Sequence, residues 1–350
     1  MKKRSKRILM GSALVGAGAL AVFALPAGAI PSPADGAPEA ASSEPAPEAA
    51  SSEPAPEATS RKVSVPAYFY PGPIWEQLTG SGPGVGLAVA NPNSGPGTSE
   101  DEQYTETIKK AGAAGADVIG YVSTGYFGTS GLTTRSGSTS PDAWMKQIKA
   151  DVDTWYRLYG DTGLRGIFFD EGTNQCGPGD TYVERYIELR NYVEDKHGEE
   201  AVVVNNPGTG TEECYTEAAD TLITFEGSEE SYRADKPKAW EKNVSGDKIW
   251  HLVYGVADEK RMREVMALSE ERNAGHVYIT PDDLSENNPW DSLPPAAYWK
   301  SQLSLVGTTA GGDAAARPGR TGGGSGDTSS GSGNCGGTAE DSTDKARTEG

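Results

Sequence analysis

The segment Arg165-Gly166-Ile167-Phe168-Phe169-Asp170-Glu171-Gly172 runs apolar residues directly into two adjacent carboxylates and a glycine. That is the pattern of a buried strand ending in a cleft. A carboxylate taken out of water without partners is costly or shifts its pKa, so acids set against a core strand point to chemistry. The segment Thr221-Leu222-Ile223-Thr224-Phe225-Glu226-Gly227 repeats the design and ends on Glu226. Successive strand residues point to opposite faces, so Asp170 and Glu171 aim alike only if the chain turns at once, which Gly172 permits. Two carboxylates across one mouth can hydrolyse a glycosidic bond: one protonates the leaving oxygen, the other attacks the anomeric carbon or activates water. Asp170 is read as nucleophile or base, Glu226 as general acid and Glu171 as a supporting acid, with the first two interchangeable.

Such acids need a scaffold. Between Val65 and Leu303 the sequence alternates short apolar runs with amphipathic stretches. The strands expected are 65–70, 85–90, 117–122, 166–170, 201–205, 221–226, 248–254 and 276–280, all rich in Val, Ile, Phe and Tyr, as buried parallel strands are. Helix starts recur between them. Thr98-Ser99-Glu100-Asp101-Glu102 opens one helix with an acidic first turn, and Ser140-Pro141-Asp142 puts Pro at the first helical position of another. Asp180 and Asp258 begin two more, at 182–196 and 258–273. Eight such units in about 240 residues fit an α/β fold of the (β/α)8 barrel type better than an open doubly wound sheet, and the active site of that barrel lies at the carboxyl ends of its strands. No GxGxxG or phosphate loop follows the first strand, which speaks against dinucleotide binding.

The strand ends carry Tyr68, Tyr70, Asn91, Tyr121, Tyr126, Asp170, Glu171, Asn205, Asn206, Glu226, His251, Tyr254, Thr280, Asp282 and Asp283, with no Lys or Arg. Aromatic faces stack on sugar rings, and carboxylates and amides bond hydroxyls, so this ring suits a saccharide better than an anionic ligand. Tyr68, Asn91, Tyr121, Asn205, His251 and Asp282 are the expected sugar contacts. Each tyrosine taken alone fits barrel packing equally well.

The chain ends differ in composition. Lys2, Lys3, Arg4, Lys6 and Arg7 precede an apolar run from Ile8 to Leu25 and the small residues Ala27-Gly28-Ala29, which reads as a secretory signal peptide over 1–29, with an uncleaved anchor as the alternative. Residues 30–62 are a Pro/Ala/Glu/Ser spacer in which Glu44-Pro45-Ala46-Pro47-Glu48-Ala49-Ala50-Ser51-Ser52 is nearly repeated from Glu53. It is expected to be extended and disordered and to set the barrel, 63–306, off from a cell wall or membrane surface. Residues 307–350 form a Gly/Ser-rich tail, also expected to be disordered. A net charge of −19, with 50 acidic against 31 basic residues, argues against nucleic acid as a partner. Of three cysteines, Cys176 and Cys214 follow adjacent predicted strands and are expected to pair in an exported protein, leaving Cys335 alone, with three free thiols as the alternative. No CxxC or HxxxH spacing occurs, so no metal or other cofactor is expected.

Val65-Pro66-Ala67-Tyr68-Phe69-Tyr70-Pro71, Ala90-Asn91-Pro92-Asn93-Ser94-Gly95-Pro96-Gly97, Gly166-Ile167-Phe168-Phe169-Asp170-Glu171, Asn206-Pro207-Gly208 and Asn288-Pro289-Trp290-Asp291-Ser292-Leu293-Pro294 together resemble the spherulin-4 family. The resemblance covers 65–299. It implies a secreted (β/α)8 glycoside hydrolase, endo-acting on α-1,4-linked N-acetylgalactosamine in an exopolysaccharide, with the family's adjacent Asp and Glu on Asp170 and Glu171 and its later Glu on Glu226. Pro281, where the family tends to run Thr directly into Asp, is a departure that bears on Asp282. The rival readings are a non-catalytic carbohydrate-binding protein of the spore or cell surface and a metal-dependent deacetylase, the latter disfavoured by three histidines in the whole chain. A monomer is expected.

Overall fold

The computed structural model describes residues 61–286 and 288–306. Eight parallel strands close into a barrel in sequence order: β1 Lys62–Val65, β2 Val85–Ala90, β3 Asp117–Ser123, β4 Gly166–Asp170, β5 Val202–Asn205, β6 Thr221–Ser228, β7 Ile249–Tyr254 and β8 His276–Ile279, with β8 returning to β1. The expected (β/α)8 fold is therefore present. The signal segment, most of the spacer, the tail and Cys335 lie outside the described residues.

Seven α-helices surround the barrel among the described residues: α1 Pro73–Thr79, α2 Glu102–Ala113, α3 Pro141–Tyr159, α4 Val183–His197, α5 Glu229–Ala234, α6 Glu259–Glu271 and α7 Ala296–Val306. Local chemistry sets their starts. The Asp101 and Asp258 carboxylates accept from the backbone N–H groups of Gln103 and Arg261, satisfying donors at the starts of α2 and α6 that the helix itself leaves free. Pro141 opens α3, whose Trp144, Ile148, Val152 and Trp155 are buried at helical spacing. Trp155 lies so close to β3 that a side-chain carbon on Gly120 would come within 2.4 Å of its ring. Its indole N–H donates to the Tyr121 carbonyl at 2.7 Å.

Two expectations shift. The strand expected at 65–70 is instead Lys62–Val65, beginning one residue inside the expected spacer. Pro66 has no N–H for the ladder, and the chain leaves the sheet there: the Tyr68 N–H donates to the Pro66 and Trp290 carbonyls instead. Between β5 and β6 no α-helix forms; a short 3-10 turn, Glu213–Glu217, buries Tyr215 in its place.

Ring contacts fix which side chains point inward. Phe168 on β4 and Trp250 on β7 are not on neighbouring strands, yet their rings meet edge to face at 6.0 Å, so both fill the barrel interior. Pairing then sets the rest, since partners across a sheet share a face. Tyr121 pairs with Phe168 and points inward; Phe169 pairs with Asn205 and both point toward the helices.

Candidate active site

Asp170 lies two residues beyond inward-facing Phe168 and so faces the barrel mouth. Glu226 reaches the mouth by a different route. Ile223 pairs with inward-facing Trp250, but Phe225, not Thr224, pairs with His251, so one extra residue sits in β6. That bulge reverses the alternation: Thr224 bonds outward to His251, Phe225 packs on Tyr232 of α5, and Glu226 turns in.

The two acids meet at Asn206. Its Nδ2 donates to Asp170 Oδ1 at 2.9 Å and to Glu226 Oε2 at 2.8 Å, while its Oδ1 accepts the Gly208 N–H at 2.8 Å. The last bond fixes which end of the amide faces the carboxylates. Each acid has further donors: the Glu171 backbone N–H and the Tyr121 hydroxyl for Asp170, and the Trp290 indole N–H, 3.1 Å from Oε1, for Glu226. Burial raises both carboxyls. Asp170 is pushed up to about 7, by desolvation first and then by the charges of Glu226 and Glu171, whereas the Asn206 and Trp290 donors oppose desolvation at Glu226.

Glu171 sits in the left-handed region at φ 55°, so the chain turns immediately after Asp170, at Glu171 itself rather than at Gly172. Its carboxylate accepts from Ser123 Oγ at the end of β3. The neighbouring loop is tied to the same corner: Thr124 Oγ1 donates to the carbonyls of Asp170 and Glu171 at 2.9 and 2.8 Å, and the Tyr126 N–H donates to the Glu171 carbonyl at 2.7 Å. Gly125, Tyr126, Phe127 and Gly128 all have positive φ, a left-handed turn that brings Tyr126 within the field of all three acids. A side-chain carbon on Gly128 would lie 2.0 Å from the Thr139 carbonyl oxygen, so the turn requires glycine there.

Of the expected sugar contacts, the structure brings Tyr68 and Tyr121 to the acids. Their rings meet edge to face at 5.6 Å, and both hydroxyls are held far above their usual range, by burial first and then by the carboxylates. Asn205 and His251 face away from the mouth, while Asn91 and Asp282 follow the ends of β2 and β8 with their side chains bonded locally. Asn205 faces away from the mouth and donates to the Ala218 carbonyl at 3.2 Å; its neighbour Asn206 takes the place expected for it. His251 is buried against α5, with its ring nitrogens 2.8 Å from Tyr232 Oη and 3.0 Å from Thr224 Oγ1, and burial lowers it to about 3, so it is neutral. Asn91 accepts the Gly95 N–H and closes its own loop, and Asp282 accepts from Ser292 Oγ at 2.6 Å, tying the end of β8 to the segment before α7. Trp290 and Ser123 were not anticipated as site residues. Trp290 did stand in the Asn288-Pro289-Trp290 motif, the one signal that could have found it.

The Cys176–Cys214 disulfide is present and joins the loops after β4 and β5, which carry Glu171 and Asn206. Cys176, Glu212 and Cys214 are also the one cluster of possible metal-binding groups among the described residues, but their sulfurs are bonded to each other. Replacing both cysteines with Ser is expected to lower stability by about 2–4 kcal/mol, since the crosslink restricts the unfolded chain. Denaturant melts of the oxidised parent and the double variant measure this; equal midpoints would contradict it.

The structure is similar to that of Aspergillus clavatus Sph3 in complex with GalNAc, with a TM-score of 0.58 and 24% identity over 71% of this chain and 98% of that one. A chitinase from Chromobacterium violaceum shares 12% identity over 71% of this chain and 99% of that one, with a TM-score of 0.46. Spherulin-4 of Physarum polycephalum is 33% identical over 168 residues, a match spanning 47% of this chain and 44% of that protein, less than half the length of the relative. The model of the spherulation-specific family 4 matches residues 62–306, the whole barrel, and the chain belongs to that family.

Proposed function

We propose that this chain is a secreted glycoside hydrolase that cuts within an amino-sugar exopolysaccharide of the α-1,4-linked N-acetylgalactosamine type, acting as a monomer through Asp170 and Glu226. The observation that carries the reading is the single Asn206 amide nitrogen bonded to both carboxylates. One nitrogen 2.9 and 2.8 Å from the two oxygens keeps those oxygens no more than about 5.7 Å apart, which suits the close pair of nucleophile and acid in a retaining enzyme better than the wider gap that admits a water.

The chemistry follows from that spacing. One carboxyl protonates the glycosidic oxygen as the other attacks the anomeric carbon, and the first then activates water against the glycosyl-enzyme. In an α-linked 2-acetamido sugar the acetamido group lies on the same side as the leaving group and cannot attack from behind, so a carboxylate of the protein must. Tyr68 is half-buried and supplies aromatic surface at the acids, with buried Tyr121 and Trp290 packed behind the carboxylates, and no Lys or Arg among the described residues bonds to Asp170 or Glu226. The GalNAc bound to the similar Aspergillus protein supports the amino-sugar class.

The test is incubation with a panel of amino-sugar polysaccharides, with products read by mass spectrometry and their first-formed anomer by NMR. Released oligosaccharides with α configuration are expected. Release of none would favour a binding protein without turnover, and a β product would refute the retaining geometry.

A further inference from the structure

We infer that Tyr70 is an outer sugar-binding platform, stacking a pyranose unit of the polymer beyond those held at the acids; the inference rests on the glycoside hydrolase reading above. Tyr70 is 55% exposed, yet its ring is not free. Its hydroxyl donates to Asp101 Oδ2 at 2.7 Å, and the ring packs edge to face on buried Tyr104 at 5.5 Å, so position and tilt are fixed from two sides. An aromatic ring held still while open to water has lost its conformational entropy in advance, which is the condition under which a flat apolar face binds a sugar most effectively.

Its place in the fold is also right. Tyr70 follows Tyr68, which lies beside Asp170, Glu171 and Glu226, by two residues, a Cα separation of at most about 7 Å. Asp101 caps the start of α2, which follows β2, and helix starts after strands lie on the same barrel face as the acids. Leu284, another large apolar side chain exposed among the described residues, stands in the loop that follows β8, again on that face. The competing account makes Tyr70 a strut that holds Asp101 through its hydroxyl. The two accounts separate on the ring and the hydroxyl.

The experiment measures binding of α-1,4-linked N-acetylgalactosamine dimer and hexamer to Asp170→Asn protein, by calorimetry, with and without Tyr70→Ala or Tyr70→Phe. The hexamer is expected to bind more tightly than the dimer, Tyr70→Ala to weaken the hexamer by about tenfold, and Tyr70→Phe to keep most of the advantage. The dimer, set by the inner residues, serves as the control for folding. Unchanged hexamer affinity in Tyr70→Ala, or equal loss in Tyr70→Phe, overturns the platform and leaves the hydrolase reading standing. Binding of neither oligosaccharide overturns both.

Discussion

Replacing Asp170 with Asn, or Glu226 with Gln, is expected to lower turnover of a cleavable amino-sugar polymer by about 10²–10⁴-fold, the range associated with losing a positioned acid–base group. The two variants differ in what they leave behind. The Tyr121 hydroxyl can reverse and accept from the amide introduced at that position, so Asp170→Asn can keep that bond. Glu226 accepts on one oxygen from Asn206 and on the other from Trp290, and an amide N–H and an indole N–H can only donate. The NH₂ of Gln therefore faces a donor on one side. Glu226→Gln should lose activity and melt lower, while Asp170→Asn should lose activity without melting lower. Full activity in either variant, assayed on a polymer the parent cleaves, would remove that residue from the mechanism.

The stability of Asp170→Asn should depend on pH in a defined direction. Burial and the neighbouring acids raise Asp170 from 3.8 to about 7 in the folded protein. A carboxyl raised on folding binds its proton more tightly in the folded state, so it favours folding below its unfolded pKa, and that contribution is lost as pH rises through about 7. The shift corresponds to something on the order of 4 kcal/mol at most, and it belongs to the Asp170–Glu226 pair rather than to one group. Asn carries no such titration. Relative to the parent, Asp170→Asn should gain stability between about pH 4 and pH 8, with a melting temperature up to roughly 10 °C higher at the upper end. Melting curves taken across that range check it; a difference that does not change with pH would show that Asp170 ionises freely.

Much of this site was legible in the sequence because apolar runs ending in acid mark both where a strand stops and what it presents. Asp170, Glu171 and Glu226 came from that pattern, and seven of the eight strands lie within about two residues of where periodicity put them. What failed was parity. Asn205 and Asn206 are adjacent amides at a strand end, and composition cannot say which faces the mouth; pairing of Phe169 with Asn205 decides it. His251 alternates with Trp250 and Leu252 in the same way and falls on the outer face. The bulge in β6 is a still harder case, because simple alternation from Ile223 would turn Glu226 outward. Trp290 reaches Glu226 across 64 positions of sequence, a contact no local pattern encodes.

Asn206 is followed by Pro207. Asparagine ages to aspartate chiefly when the next backbone nitrogen, freed of its proton, attacks the side-chain carbonyl and expels ammonia. A proline nitrogen carries no hydrogen to lose, so that route is closed here. Were it open, time alone would place another carboxylate between Asp170 and Glu226, repelling both and ending the bond that spaces them. The proline thus protects the pair from slow chemical decay, a form of durability that a melting temperature does not measure.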